Sequence, residues 1–218
     1  SFKNRKYMKR FVPILLVLFL FTACEKEPNT DDLDDNFLVY TDYDKTEDFG
    51  SFTKFYIPDS ILLISDSKEA QYWKDDNALR IIEACVDNME ERGYQRVDKK
   101  DQADLGIQMS YVEDTHYFTG YSDPYWWWDY PGYWYPGYWG NWGGWYYPYR
   151  VVYSYNVGSL LTELISLEVN ETTTNTKKLS VIWDAYMTGL LSSSHRINTE
   201  LAITAVNQAF IQSPYLKK

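Results

Sequence analysis

At 218 residues, with 45% hydrophobic and 18% aromatic side chains, the chain is one domain's worth on the usual prior of roughly 100 to 200 residues per domain. Its 31 acids outnumber its 21 cations, and five of those cations (Lys3, Arg5, Lys6, Lys9, Arg10) precede Cys24, which leaves the remainder near −15. So acidic a body excludes nucleic acid, whose binding depends on neutralising phosphates with Lys and Arg, and it is repelled by an anionic bilayer surface.

The first 23 residues read as a signal peptide. A basic stretch ends at Met8-Lys9-Arg10, the uncharged run Phe11 to Ala23 follows, and Thr22-Ala23-Cys24 closes it. Thirteen helical residues span only about 20 Å, too short for a hydrocarbon core of about 30 Å, so the run fits a leader core better than a membrane span. Met8 is the expected start. Small side chains at Thr22 and Ala23 admit a peptidase to the bond before Cys24, whose thiol would carry a diacylglycerol. The segment resembles the bacterial lipobox, with Phe21 where Leu is usual. Two or more acyl chains anchor stably, since each buried methylene adds about 0.8 kcal/mol. Residues 24–36, the lipidated cysteine and an acidic linker with Asp31, Asp32, Asp34 and Asp35, have too little apolar area to order themselves. The linker lacks the glycine turn and closing Glu of a calcium loop. It also resembles the surface-export signal of Bacteroidota lipoproteins.

Residues 37–216 read as a single α+β domain. Alternation with period two predicts strands. Leu105, Ile107, Met109 and Tyr111 share one face, opposite Gly106, Gln108 and Ser110. Leu179, Val181, Trp183, Ala185 and Met187 do likewise, opposite Ser180, Asp184 and Tyr186. Further strands are expected at 38–43, 52–57, 151–157 and 160–169. Such patterning marks an antiparallel sheet with one buried face. A helix is expected from Asp75-Asp76 to Gly93 with the stripe Leu79, Ile82, Val86 and Met89. A second is expected from near Ser194, carrying Ile197, Leu201, Ala205 and Phe210, to Ser213-Pro214. Two helices covering one face of the sheet is the economical packing. Cys85, inside the first helix, is expected to be a small buried hydrophobe.

The predicted domain is interrupted at about 120–149 by an aromatic insertion. Between Tyr125 and Tyr149, fifteen of twenty-five residues are Trp or Tyr, and seven of the chain's nine tryptophans fall there. Tyr130-Pro131-Gly132-Tyr133-Trp134 is repeated at once as Tyr135-Pro136-Gly137-Tyr138-Trp139. Pro-Gly at five-residue spacing favours successive turns, which predicts a surface loop. Three readings stand. The rings of Trp126, Trp127, Trp128, Tyr133, Trp134, Tyr138, Trp139, Trp142 and Trp145 stack on a ligand such as a glycan. Alternatively they embed in a protein partner or membrane interface. In the third reading they collapse on their own sheet as an auxiliary core. No Lys or Arg occurs from Asp101 through Tyr149, so the basic groove that single-stranded nucleic acid requires is missing.

Motifs for chemistry are not found. His116 and His195 have no second metal ligand at helical or hairpin spacing, Ser192-Ser193-Ser194-His195 lacks a nucleophile elbow, and no phosphate-binding glycine loop is present. No catalytic residue, metal or cofactor is expected.

Several short stretches carry a family resemblance: Phe49-Gly50-Ser51-Phe52-Thr53-Lys54-Phe55, Glu91-Arg92-Gly93-Tyr94, Ala103-Asp104-Leu105, Gly158-Ser159-Leu160, Val181-Ile182-Trp183 with Gly189, and Ser213-Pro214. On these, from about Phe37 to Leu216, the chain resembles a Bacteroidota lipoprotein family known as domain of unknown function 4136. The resemblance brings no activity or catalytic residue. The expectation is therefore a non-enzymatic envelope lipoprotein, anchored through Cys24 to the outer membrane, facing periplasm or exterior. Its aromatic loop would bind a glycan or another envelope component; the alternative is a structural or assembly lipoprotein docking on a protein partner.

Overall fold

The structure is a computed structural model that describes residues 37–65, 70–113, 145–149, 156–168, 172–173, 176–177, 179–193 and 196–218. All of them lie in the compact unit Asp35–Lys218. The leader, Cys24 and the acidic linker lie outside the described residues. So do His116, His195, and the insertion from Trp126 through Trp142.

Four long strands form the body of the sheet: β1 (Leu38–Tyr43) at its edge, β6 (Leu105–Val112), β8 (Ser159–Ser166) and β11 (Leu179–Thr188). They lie in the order β1-β11-β8-β6, each pair antiparallel. Short strands bring the sheet to nine among the described residues. β2 (Lys54–Tyr56) and β3 (Ile61–Ile64) both pair parallel with β6, at its two ends. They are consecutive pieces of one chain run, broken at Pro58, which has no N–H to give to the ladder. β4 (Gln71–Trp73) pairs with β3, β5 (Gln95–Arg96) with β2, and β7 (Trp145–Tyr146) with β11. A separate two-stranded sheet joins β9 (Thr172–Thr173) and β10 (Thr176–Lys177).

Helix α1 (Asp76–Glu91) starts where the sequence puts it. The Asp75 carboxylate caps it by accepting from the N–H groups of Asn77 and Ala78, both at 3.0 Å. It ends in a Schellman turn: Tyr94 N–H donates to the Met89 carbonyl and Gly93 N–H to that of Glu90. The turn needs a positive φ at Gly93, here 93°. The buried face is Ala78, Ile81, Ile82, Cys85, Val86 and Met89. Leu79, expected in that stripe, is 42% exposed, because the apolar face is centred on Ile81, Ile82 and Cys85. Helix α2 (Thr199–Ile211) begins later than expected. Its cap is Asn198, which accepts from Glu200 and Leu201. Ile197 lies before the helix, in a bridge to Leu191.

Both helices cover one face of the sheet, where their side chains share a core with Phe55, Leu105, Ile107, Leu164 and Trp183. Trp183 packs on Phe210 with centroids 5.3 Å apart and donates its indole N–H to Ser213 Oγ at 2.8 Å, fixing the end of α2 to the sheet.

The opposite face is not open to water at its centre. Every residue of β6 and β8 is buried, and a second core of Leu62, Ile64, Val112, Leu161, Ile165 and Val181 forms there. The simple alternation read along β11 fails at one place. The register with β8 slips between Val181 and Trp183, so one extra residue, Ile182, forms a β-bulge. Leu179 and Val181 consequently join the second core, whereas Trp183, Ala185 and Met187 join the helix-side core. Of the strand expected at 151–157, Asn156 and Val157 are described and are not strand; the remainder lies outside the described residues.

Candidate functional site

The second face carries a row of polar side chains along one register line. Asp42 of β1 lies opposite Asp184 of β11, Asp184 opposite Glu163 of β8, and Glu163 opposite Gln108 of β6. Directly opposed residues share a face, so three carboxylates and an amide cross the sheet side by side. Glu163 and Asp184 are fully buried and Gln108 is 8% exposed. Like charges opposite one another destabilise a sheet, and a buried carboxylate is tolerated only when hydrogen-bonded.

The donors come from the end of the aromatic insertion. Tyr147 donates its hydroxyl to Glu163 Oε1, and Tyr149 donates to Asp184 Oδ1 at 2.7 Å. The two rings meet edge-on at 5.7 Å and 87°. Burial, and after it the charge and hydrogen bond of Asp184 with the charges of Glu163 and Asp42, push the Tyr149 hydroxyl well above its ordinary range. It remains a neutral donor at neutral pH.

The insertion's ends are also fixed. Insertion and flanks form the connection between β6 and β8, whose adjoining ends pair Val112 with Ser159. Glu113 N–H donates to Ile64 O on departure, and Gly158 N–H to Val112 O on return. Tyr186 holds the returning chain, accepting from Asn156 N–H at 2.9 Å and sharing a hydrogen bond with Ser159 Oγ at 2.8 Å. Trp145 is elsewhere: in β7 it pairs with Leu179, at the end of β11 that faces Ser166 of β8. From the level of Ser159 to that of Ser166 is about 23 Å at 3.3 Å per residue. The chain therefore leaves at one end of the sheet, reaches the other by Trp145, and then ties Tyr147 and Tyr149 down across the middle.

Among the expected binding residues, the backbone of Trp145 is thus placed in β7. Trp126, Trp127, Trp128, Tyr133, Trp134, Tyr138, Trp139 and Trp142 lie outside the described residues, as does Cys24. Sequence reading passed over Glu163 and assigned Asp184 merely to the non-core face. The available signal was a charged residue in the middle of each apolar strand, Leu160-Leu161-Thr162-Glu163-Leu164-Ile165 and Val181-Ile182-Trp183-Asp184-Ala185. Among the described residues no group of three or more His, Cys, Asp or Glu is arranged to hold a metal ion, and no helix is long and apolar enough to cross a membrane. Cys85 is buried, and burial pushes its thiol up to about 12, so it is not a nucleophile at neutral pH.

Comparison with known proteins matches residues 39–215 to the family described as domain of unknown function (DUF4136). The crystal structure of a DUF4136 family protein from Bacteroides thetaiotaomicron is 56% identical, covering 84% of this chain and 99% of that one, with a TM-score of 0.76. The PelC dodecamer from Paraburkholderia phytofirmans is 12% identical over 84% of this chain and 99% of its own, with a TM-score of 0.38. No curated protein matches the sequence.

Proposed function

We propose, for a chain that belongs to the DUF4136 family, a non-enzymatic binding module of the cell envelope whose recognition element is the aromatic insertion. The observation that carries this reading is the anchoring of the insertion's closing arm, Tyr147 to Glu163 and Tyr149 to Asp184, on buried central strands. Binding residues act best on loops held by a rigid scaffold, and burying two carboxylates to hold an arm of purely structural value would be a costly way to close a loop.

The ligand class follows from charge and ring chemistry. The insertion has no Lys or Arg, and its closing residues Tyr147 and Tyr149 sit on buried acids, which disfavours anions. Many rings and few charges suit a neutral glycan, whose C–H faces stack on Trp and Tyr. Lipid attachment at Cys24 belongs to the same proposal: it would hold the acidic body at the outer membrane on the linker of residues 25–36. The test is glycan-array binding of the protein with and without residues 125–144, a deletion that spares β7, Tyr147 and Tyr149. Binding of neutral glycans that disappears with the deletion supports the proposal, and binding that survives it refutes the stacking role.

Docking on a protein partner is the second reading, favoured by edge strand β1. Among the described residues its one strand neighbour is β11, and Leu38 and Tyr40 are 59% and 46% exposed, the features of a strand open to pairing. Loss of a co-purifying envelope protein on placing Pro at Tyr40 would favour this reading over the first.

A further inference from the structure

A recess lies where the end of β1, the short helical turn Phe49–Ser51 and the C-terminal segment after α2 come together. It has a volume of about 480 Å³, within the range of roughly 300 to 1,000 Å³ usual for small-molecule sites. One wall is aromatic. Tyr43 and Tyr215 stack with centroids 3.7 Å apart and planes at 22°, and Phe49 packs tilted against both, at 6.1 and 5.8 Å. Phe49 is buried, while the two tyrosines keep part of their surface exposed.

The rim carries both lysines and acids. Lys45, Lys217 and Lys218 line the recess, and among the described residues none has a carboxylate within ion-pair distance. An acidic body thus places three lysines, none in an ion pair among the described residues, in the lining beside one aromatic wall. Glu47 and Asp48 line it as well. Burial, then the neighbouring charges of Asp44, Glu168 and Asp48, outweigh a backbone hydrogen bond and raise the Glu47 carboxyl, which marks that side of the recess as partly shielded from water. Asp48 Oδ1 is already engaged by Gly50 N–H at 3.0 Å.

We propose that this recess binds an acidic sugar unit, its ring against the Tyr43–Tyr215 wall, its carboxylate reached by Lys45 and Lys217, and its hydroxyls donating to Glu47. The parts divide the work by chemistry. Aromatic faces take the apolar C–H side of a pyranose. Lysines take an anion as mobile point charges, without the fixed geometry an arginine fork would impose. An acceptor carboxylate selects a hydroxylated ring over a simple aromatic acid. None of the described lining residues belongs to the insertion, which we assign to neutral glycans.

The test is calorimetric titration of the full chain with α-1,4-linked trigalacturonate and, separately, with neutral galactotriose. Trigalacturonate is expected to bind at least tenfold more tightly than galactotriose, and less tightly as salt is raised, since exposed charges are screened. The double substitution Lys45→Gln with Lys217→Gln, at exposed positions that leave the core untouched, is expected to weaken trigalacturonate binding at least tenfold. Trp134→Ala with Trp139→Ala in the insertion is expected to leave it within twofold. Absence of trigalacturonate binding, equal affinity for the two sugars, indifference to the lysine substitutions, or loss on changing the two tryptophans would each overturn the proposal.

Discussion

Tyr149 reaches across 35 residues of sequence to donate its hydroxyl to Asp184 Oδ1 at 2.7 Å, joining the end of the aromatic insertion to the middle of the longest strand. A hydrogen bond to a charged, buried acceptor contributes about 1.5 to 3 kcal/mol. Tyr149→Phe is therefore expected to lower unfolding free energy by about that amount in urea denaturation. Asp184→Asn keeps an oxygen acceptor and removes one charge from the acidic row, so its loss should be smaller. Wild-type stability in Tyr149→Phe would show that the tie holds nothing.

Alkaline pH should loosen the fold before acid chemistry is considered. Burial raises Tyr94, Tyr111, Tyr149 and Tyr215 above the ordinary tyrosine value, and Cys85 to about 12. Each is neutral when protonated and is favoured in that form by the fold. Their contribution is thus complete below the unfolded values, about 8.5 for the thiol and about 10 for the phenols, and is lost as pH climbs through the folded ones. Urea midpoints measured from pH 7 to 11 should fall beyond about pH 8.5. Cys85→Ala should remove the first part of that fall. A flat profile would contradict the buried assignments.

Gly158 closes the insertion with φ at 80°, and a Cβ there would sit 2.3 Å from Leu191 Cγ. Backbone strain of this kind costs about 1 to 3 kcal/mol, and the clash adds to it. Gly158→Ala should lower the thermal midpoint clearly, whereas Gly158→Ala combined with Leu191→Ala should recover the steric part and leave the strain.

How far the sequence was readable depended on whether a local signal existed. The α+β class, the four long strands, α1 with its Asp75 cap and the family resemblance rested on periodicity, cap chemistry and short motifs, which act within a few residues. The start of α2 was misplaced because Ser194 offers the same cap chemistry as Asn198, and only tertiary contacts choose between them. The spacing of Leu79 fits the buried stripe, yet the helix is rotated by what α2 and the sheet present. The Ile182 bulge has no local signal, and it switches the odd-numbered residues of β11 from the second core to the helix-side core. Of the candidate site, the aromatic insertion was conspicuous. Its acidic anchors were not, since Glu163 and Asp184 become neighbours of Tyr147 and Tyr149 only once β8 and β11 pair.

Anchoring through Cys24 is open to a direct check. Labelled palmitate should enter the protein during growth, and Cys24→Ala should abolish incorporation and release the protein from the membrane fraction. Label persisting in that variant would end the lipid-anchor proposal.

Tryptophan fluorescence tests most directly whether the insertion is an accessible aromatic binding surface. Seven of nine tryptophans lie between Trp126 and Trp145, while Trp183 is 1% exposed and contributes little to quenching. Acrylamide should quench most of the emission of the free protein, and a neutral glycan selected on the array should protect it. Emission that acrylamide barely reaches in the free protein would contradict the account, because rings packed away from water have no face left for a ligand.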